Sequence, residues 1–173
     1  MNDKVSVYLT GEEIGIRLDE SAAELNGKYA EENLHLVCIL KGSVFITCEI
    51  ARRLTMPVTL DFMQVSSYGD GTKSSGIVKI VKDLDETIEG KNVLVIEDII
   101  DSGRTLSYLM PLLGARNPKS LKLFTLLDKP DRRVKEVEVD YCGFQIPDEF
   151  VVGYGLDYAQ KYRNLPYIGI MEE

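Results

Sequence analysis

The 173-residue chain has no apolar run near the roughly 18 residues that a membrane-spanning helix needs. Its first residues lack the apolar stretch of a secretory leader, and no Asn-x-Ser/Thr acceptor site occurs. Neither secretion nor membrane insertion is expected. Cysteine is scarce: Cys38, Cys48 and Cys142 are odd in number and scattered, as in a cytoplasmic protein with reduced thiols. His35 and Cys38 are spaced as His-x-x-Cys, but on a strand their side chains face opposite ways, which argues against a metal there. Positive charge is also short. Lys and Arg number 20 against 28 Asp and Glu, and the net charge of −8 disfavours binding to nucleic-acid phosphates. No Gly-x-x-x-x-Gly-Lys-Ser/Thr loop is present, so a P-loop nucleotide site is excluded. Linkers, repeats and low-complexity tracts are lacking too, and one domain over residues 1–173 is expected. At 45% hydrophobic and 28% charged residues, the chain reads as a soluble globule large enough for a real core.

Strand and helix patterns alternate along the sequence. Thr10-Gly-Glu-Glu13 is a capping box, followed by Ile14, Leu18, Ala22, Leu25 and Tyr29 at helical spacing. Leu34–Leu40 reads as a buried strand, and Lys41-Gly42-Ser43 leads into a second helix ending near Leu54. Val58–Val65 and Ile77–Val81 are strand-like, on either side of a polar, glycine-rich loop at 66–76. Val93–Ile96, a helix at 104–114 and a strand at Leu121–Leu127 make a βαβ unit. Short strands follow near 137–144, 150–152 and Tyr167–Met171. The pattern predicts an α/β fold, a mostly parallel sheet flanked by helices, with ligands beyond the strands' carboxyl ends.

The most informative segment falls at such an end. Residues 93–105 read Val-Leu-Val-Ile-Glu-Asp-Ile-Ile-Asp-Ser-Gly-Arg-Thr. A buried strand runs to the acidic pair Glu97 and Asp98. A short turn then brings Asp101, and Ser102-Gly103-Arg104-Thr105 opens a helix with Leu106, Leu109, Met110 and Leu113 at apolar spacing. A helix start offers unpaired N–H groups and a positive dipole end, which suits a phosphate. Gly103 allows close backbone approach, Ser102 and Thr105 add hydroxyl donors, and two carboxylates can hold sugar hydroxyls. Phosphate beside diol describes a ribose 5-phosphate. A Walker-B-like strand end needs the missing P-loop. An ordinary solvated loop does not explain three mutually repelling carboxylates in five residues.

This segment resembles the motif with which type I phosphoribosyltransferases bind 5-phosphoribosyl-1-diphosphate (PRPP). A second block, Lys129 followed by Pro147-Asp-Glu-Phe-Val-Val-Gly-Tyr-Gly-Leu-Asp-Tyr158, is close to the purine-binding segment of the 6-oxopurine members. Read alone, it is a strand and a glycine turn; Gly153-x-Gly155 is no dinucleotide fingerprint. The resemblance runs from about residue 10 to 170. It implies the phosphoribosyltransferase fold with a small hood built from the chain ends. Glu97, Asp98 and the loop 101–105 would hold the ribose and its phosphate, with Asp101 as catalytic base. Lys41, Gly42 and Arg163 would hold the diphosphate, the Leu40–Lys41 peptide being of unusual geometry with cis left open. Ser67 and Tyr68, in the loop 66–76, would close over the diphosphate. Lys129, Phe150, Val151 and Asp157 would bind the purine: Lys129 at the 6-oxo group, Phe150 by stacking and the Val151 backbone at the edge bearing N1. Asp157, with Glu97 and Asp98, would hold Mg²⁺. Arg133 is a weaker candidate, because Arg132 stands beside it. Arg104 stands where some relatives carry Lys.

The resemblance therefore implies a purine salvage transferase acting on PRPP and hypoxanthine or guanine, giving IMP or GMP. A cytoplasmic homodimer or homotetramer would follow. An RNA-binding attenuation regulator on the same fold should show a basic face and lack the Lys129 and Phe150–Asp157 block. A binding module that has lost catalysis should lack the three carboxylates. Xanthine preference is left open.

Overall fold

The computed structural model describes residues 4–67 and 78–172, Ser67 by its backbone alone. Its main sheet has six strands in the order β4-β3-β2-β5-β6-β7: β2 is Leu34–Leu40, β3 Val58–Ser67, β4 Val78–Lys82, β5 Asn92–Ile100, β6 Ser120–Asp128 and β7 Tyr141–Gln145. All neighbours are parallel except β3 and β4, which form an antiparallel edge. A second sheet joins the two chain ends. In it β9 (Ile168–Met171) lies between β1 (Val5–Leu9) and β8 (Val151–Val152), antiparallel to both. This is the expected hood.

The central strands read as nearly continuous apolar runs because both faces are covered. Helix α1 (Gly11–Lys28) buries Ile14, Leu18 and Leu25, and α2 (Val44–Ala51) buries Ile46 and Ile50, against Leu34, Leu36, Leu94 and Ile96. Helix α3 (Arg104–Gly114) covers the opposite face. Its Leu106, Leu109 and Leu113 pack on Val37, Ile39, Val93, Val95 and Leu123. Each fully buried leucine or isoleucine contributes roughly 1.5–3 kcal/mol. Among the described residues no helix is long and apolar enough to cross a membrane.

Several boundaries differ from the sequence reading. Strand β5 does not stop at Ile96; Glu97 pairs with Thr125, Ile99 with Leu127 and Ile100 with Asp128. The acidic pair therefore stands on a strand, which fixes its direction more rigidly than a turn could. Helix α2 ends at Ala51, before Leu54, in short-range turns where Arg53 N–H donates to the Ile50 carbonyl and Leu54 N–H to that of Ala51. Strand β7 starts at Tyr141, after 137, because Asp140 caps it: its carboxylate accepts the Leu123 N–H at 2.9 Å, in place of a backbone partner. Strand β1 is too short and exposed to be read from sequence. Strand β3 runs through Ser66 and Ser67, which pair with Lys79 and Val78. Tyr68 and most of the expected closing loop lie outside the described residues.

Candidate active site

The carboxyl ends of β2, β5 and β6 meet at one rim. There, Glu97 and residues 101–105 line a cavity of ≈260 Å³ closed by Ile39, Leu40 and Val65. Burial, followed by the neighbouring charge of Asp98, pushes the Glu97 carboxyl well above the usual range, and its Oε2 is buried without a partner. Burial also raises Asp98, although the Ile99 N–H donates to its Oδ1 at 2.7 Å. The pair thus carries one orphaned buried oxygen, on Glu97, suited to a ligand that brings a hydroxyl donor or positive charge.

The turn into α3 has its own restraint. Gly103 has φ of 77°, and a Cβ there would run into the Lys135 carbonyl. Behind the turn the Ser102 carbonyl accepts N–H groups from Val134 (2.9 Å) and Lys135 (3.0 Å). Helix α3 has no side-chain cap and no acid in its first turn. Ser102 Oγ accepts the Arg104 N–H at 3.5 Å, and the helix start lines the cavity, the arrangement that anion sites use.

Lys41 and Gly42 approach from the end of β2, and the Leu40–Lys41 peptide is cis. Gly42 is held between two partners: a Cβ on it would occupy the Asp98 carboxylate, and a Cβ on Gly155 would strike the Gly42 carbonyl. Gly155 itself has φ of 106°. Lys41 Nζ donates to Gln160 Oε1 at 3.3 Å, and Arg163 pairs with Asp157 at 2.7 Å while donating to the Gly155 carbonyl at 2.7 Å. The three residues expected at a diphosphate therefore converge. Sequence reasoning did not single out Gly155 or Gln160. The signal for Gly155 was the pair Gly153-x-Gly155, which was treated as a simple turn.

The larger cavity beside this rim, ≈700 Å³, is lined by Asp101, Lys129, Arg132, Phe150, Val151 and Asp157, among others. Lys129 is buried and donates from Nζ to the Glu149 carbonyl at 2.6 Å, with Asp148 at 3.7 Å. Phe150 is 54% exposed and meets Tyr158 edge to face, centroids 5.7 Å apart. An exposed ring at a cavity with polar groups opposite is an arrangement that receives a flat aromatic ligand. Asp101 and Ile99 line both cavities. Arg133, the weaker candidate, pairs with Asp128, whereas Arg132 beside it lines the cavity.

The family model of the phosphoribosyl transferase domain matches residues 4–159, most of the chain. The chain belongs to that family. Among its relatives, the bifunctional protein TilS/HprT of Listeria monocytogenes serotype 4b is 54% identical over 171 residues. That alignment takes in 99% of this chain and 26% of the relative, so the chain spans about a quarter of that protein's length. The hypoxanthine-guanine phosphoribosyltransferase of Bacillus subtilis is 48% identical over 171 residues, 99% of this chain and 95% of the relative. A crystal structure of a hypoxanthine phosphoribosyltransferase from Staphylococcus aureus superposes with a TM-score of 0.93 at 49% identity, covering 96% of this chain and 91% of that one.

The site has no ready-made metal cage among the described residues. Among the described residues no three His, Cys, Asp or Glu side chains converge as a metal cluster, so Asp157, Glu97 and Asp98 do not form one. Asp157 already accepts the Gln160 N–H at 2.8 Å and pairs with Arg163. Mg²⁺ commonly takes only one or two protein carboxylates and completes its shell from substrate phosphates and water. The orphaned Glu97 Oε2 and the Asp157 carboxylate fit that limited part.

Proposed function

We propose that this chain transfers the 5-phosphoribosyl group of PRPP to N9 of hypoxanthine or guanine, releasing IMP or GMP and diphosphate. The observation that carries the reading is the shared wall. Asp101 lines both a phosphate-type cavity, with Glu97 in its wall, and a larger cavity with an aromatic ring and a buried lysine. Two substrates meeting at one carboxylate is the geometry a proton-coupled transfer needs.

In this reading the helix start at 102–105 anchors the 5-phosphate, and Glu97 and Asp98 bind the 2- and 3-hydroxyls. Their negative charge favours the positive charge that builds on the ribose ring as the C1–oxygen bond to diphosphate breaks. Lys41, Gly42 and Arg163 take the leaving diphosphate, and Ser67 and Tyr68 close over it to exclude water. N9 of the base forms the new bond to C1, and Asp101 accepts the N7 proton. Lys129 donates to the 6-oxo group, Phe150 stacks on the ring, and the Val151 backbone reads the edge bearing N1. Asp157 and Glu97 would each offer a carboxylate to Mg²⁺, which would supply charge neutralisation for the diphosphate. The chain acts as one domain, in the cytoplasm, within a homodimer or homotetramer.

Steady-state assays with hypoxanthine, guanine, xanthine and adenine test the assignment. Lys129 facing the amino group of adenine leaves donor opposite donor, which costs about 1–3 kcal/mol. Adenine should therefore be used at least about tenfold less efficiently than hypoxanthine. Comparable efficiencies would overturn the reading.

A further inference from the structure

Four charged groups alternate along the rim of the larger cavity. Arg132 Nε donates to Asp101 Oδ1 at 3.0 Å, and the same guanidinium donates from one terminal nitrogen to both oxygens of Asp148, at 3.1 and 3.2 Å. Lys129 stands 3.7 Å beyond, on Asp148. Under the assignments above, Asp101 must be open to the base when the proton moves. In the ligand-free protein an arginine occupies one of its oxygens instead. Only the arginine side chain is free to leave: its backbone is fixed in a 3-10 turn at Pro130–Arg132, where the Arg132 N–H donates to the Lys129 carbonyl at 3.1 Å.

We propose that Arg132 is a displaceable strap across the mouth of the purine cavity, anchored on Asp148 and released from Asp101 when the base enters. This rests on the function proposed above. The two ends of the strap are unequal. The Arg132 guanidinium is raised above its ordinary value first by hydrogen bonding to Asp148, then by the charge of Asp101 and next by that of Asp148, with the hydrogen bond to Asp101 adding least. Nε makes a single contact, but Asp148 receives donation at both oxygens, so the Asp101 end gives way. Both pairs are about half exposed (50% for Arg132, 47% for Asp101, 49% for Asp148), which keeps the strap weak enough to open on each cycle. An incoming purine with N–H at N7 offers Asp101 a donor in exchange for the one it loses. A ligand without that donor leaves the carboxylate uncompensated. Arg132 is thus a positioning residue: it acts on the base through Asp101, and its presence taxes binding by the share of molecules in which the strap is closed.

The test is the Michaelis constant for hypoxanthine at saturating PRPP, in the full chain, for wild type, Arg132→Met and Arg132→Lys. Met keeps the stem and removes the charge. The hypoxanthine constant should fall about two- to fivefold in Arg132→Met, the range an exposed ion pair supports, with turnover and the PRPP constant changed less than about twofold. Lys keeps the charge but cannot span both carboxylates, and its value should lie between the two. Raising salt from roughly 0.05 to 0.5 M should lower the wild-type hypoxanthine constant and leave that of Arg132→Met in place. A role in stability alone would not produce that salt difference. A hypoxanthine constant that rises or stays unchanged in Arg132→Met overturns the strap. If wild type forms IMP normally while this happens, only the strap fails; if wild type forms no IMP, the function reading fails first.

Discussion

Helix α1 begins at Thr10 with both halves of a capping box. The Thr10 hydroxyl accepts the Glu13 N–H at 3.2 Å, Glu13 accepts the Thr10 N–H at 2.8 Å, and Glu12 adds a second acid in the first turn. Helix α3 begins at Gly103 with neither device, and α2, which follows Lys41-Gly42, has no side-chain cap at Ser43. Every helix start leaves N–H groups and a partial positive charge to be satisfied. At α1, on the far side of the hood strand, the sequence supplies its own carboxylate. At α3, whose first residues line the smaller cavity, no side-chain cap or first-turn acid does this. The difference sets a capped helix end apart from the one assigned to a phosphate in the proposed function.

The largest effect should come from the residue both cavities share. Asp101→Asn keeps the shape and one hydrogen-bonding oxygen but cannot accept a proton, so turnover should fall about 10²–10⁴-fold while PRPP binding changes little. Single-turnover rates with PRPP and hypoxanthine measure this; near-normal turnover would remove Asp101 as the base.

A smaller effect concerns the acidic pair beside the open helix. The Glu97 carboxyl is raised by burial and by Asp98, so the folded protein holds its proton to higher pH than the unfolded chain does. Its contribution is complete below the ordinary carboxylate value and is lost as pH rises through the elevated one. Glu97→Gln cannot ionise. It should stabilise the ligand-free protein at neutral pH by about 0.5–2 kcal/mol, the gain expected where a site trades stability for function. Denaturant melts across pH should show the wild type losing stability as pH rises from the ordinary carboxylate value through the elevated one, while the variant loses less. Identical pH profiles would mean that Glu97 is not strained in the free protein.

The smallest effect falls on the closed helix end. Thr10→Ala removes the cap of α1 and should cost about 1 kcal/mol of stability, with no change in either substrate's Michaelis constant. A kinetic change would show that the two ends are not as separate as the structure makes them.

Much of this was legible in the sequence for a simple reason. The loop proposed for the phosphate, the acidic pair and the proposed base at 93–105 are contiguous, so local patterning carries them, and β2 and α3 match the expected bounds residue for residue. Contacts between distant segments were not legible. Gly42 is held by Asp98 and Gly155, three positions that only the folded sheet and hood bring together. Adjacent arginines cannot be told apart by composition, and the 3-10 turn decides that Arg132 faces the cavity while Arg133 meets Asp128. The acidic pair looked like the end of a strand because charge usually ends one. At a rim that lines a cavity the strand carries its charges onward to Ile100.

The most direct test gives α3 the kind of start that α1 has. Thr105→Glu places an acid in the first turn of α3, where the structure has none. Calorimetric titration with PRPP, paired with a thermal melt of the free protein, reads binding and stability together. If the open end is the phosphate seat, PRPP affinity should fall by more than about tenfold while the melting temperature holds or rises, since a carboxylate there satisfies the helix dipole but repels the phosphate. Unchanged PRPP affinity in a folded Thr105→Glu protein would contradict the account.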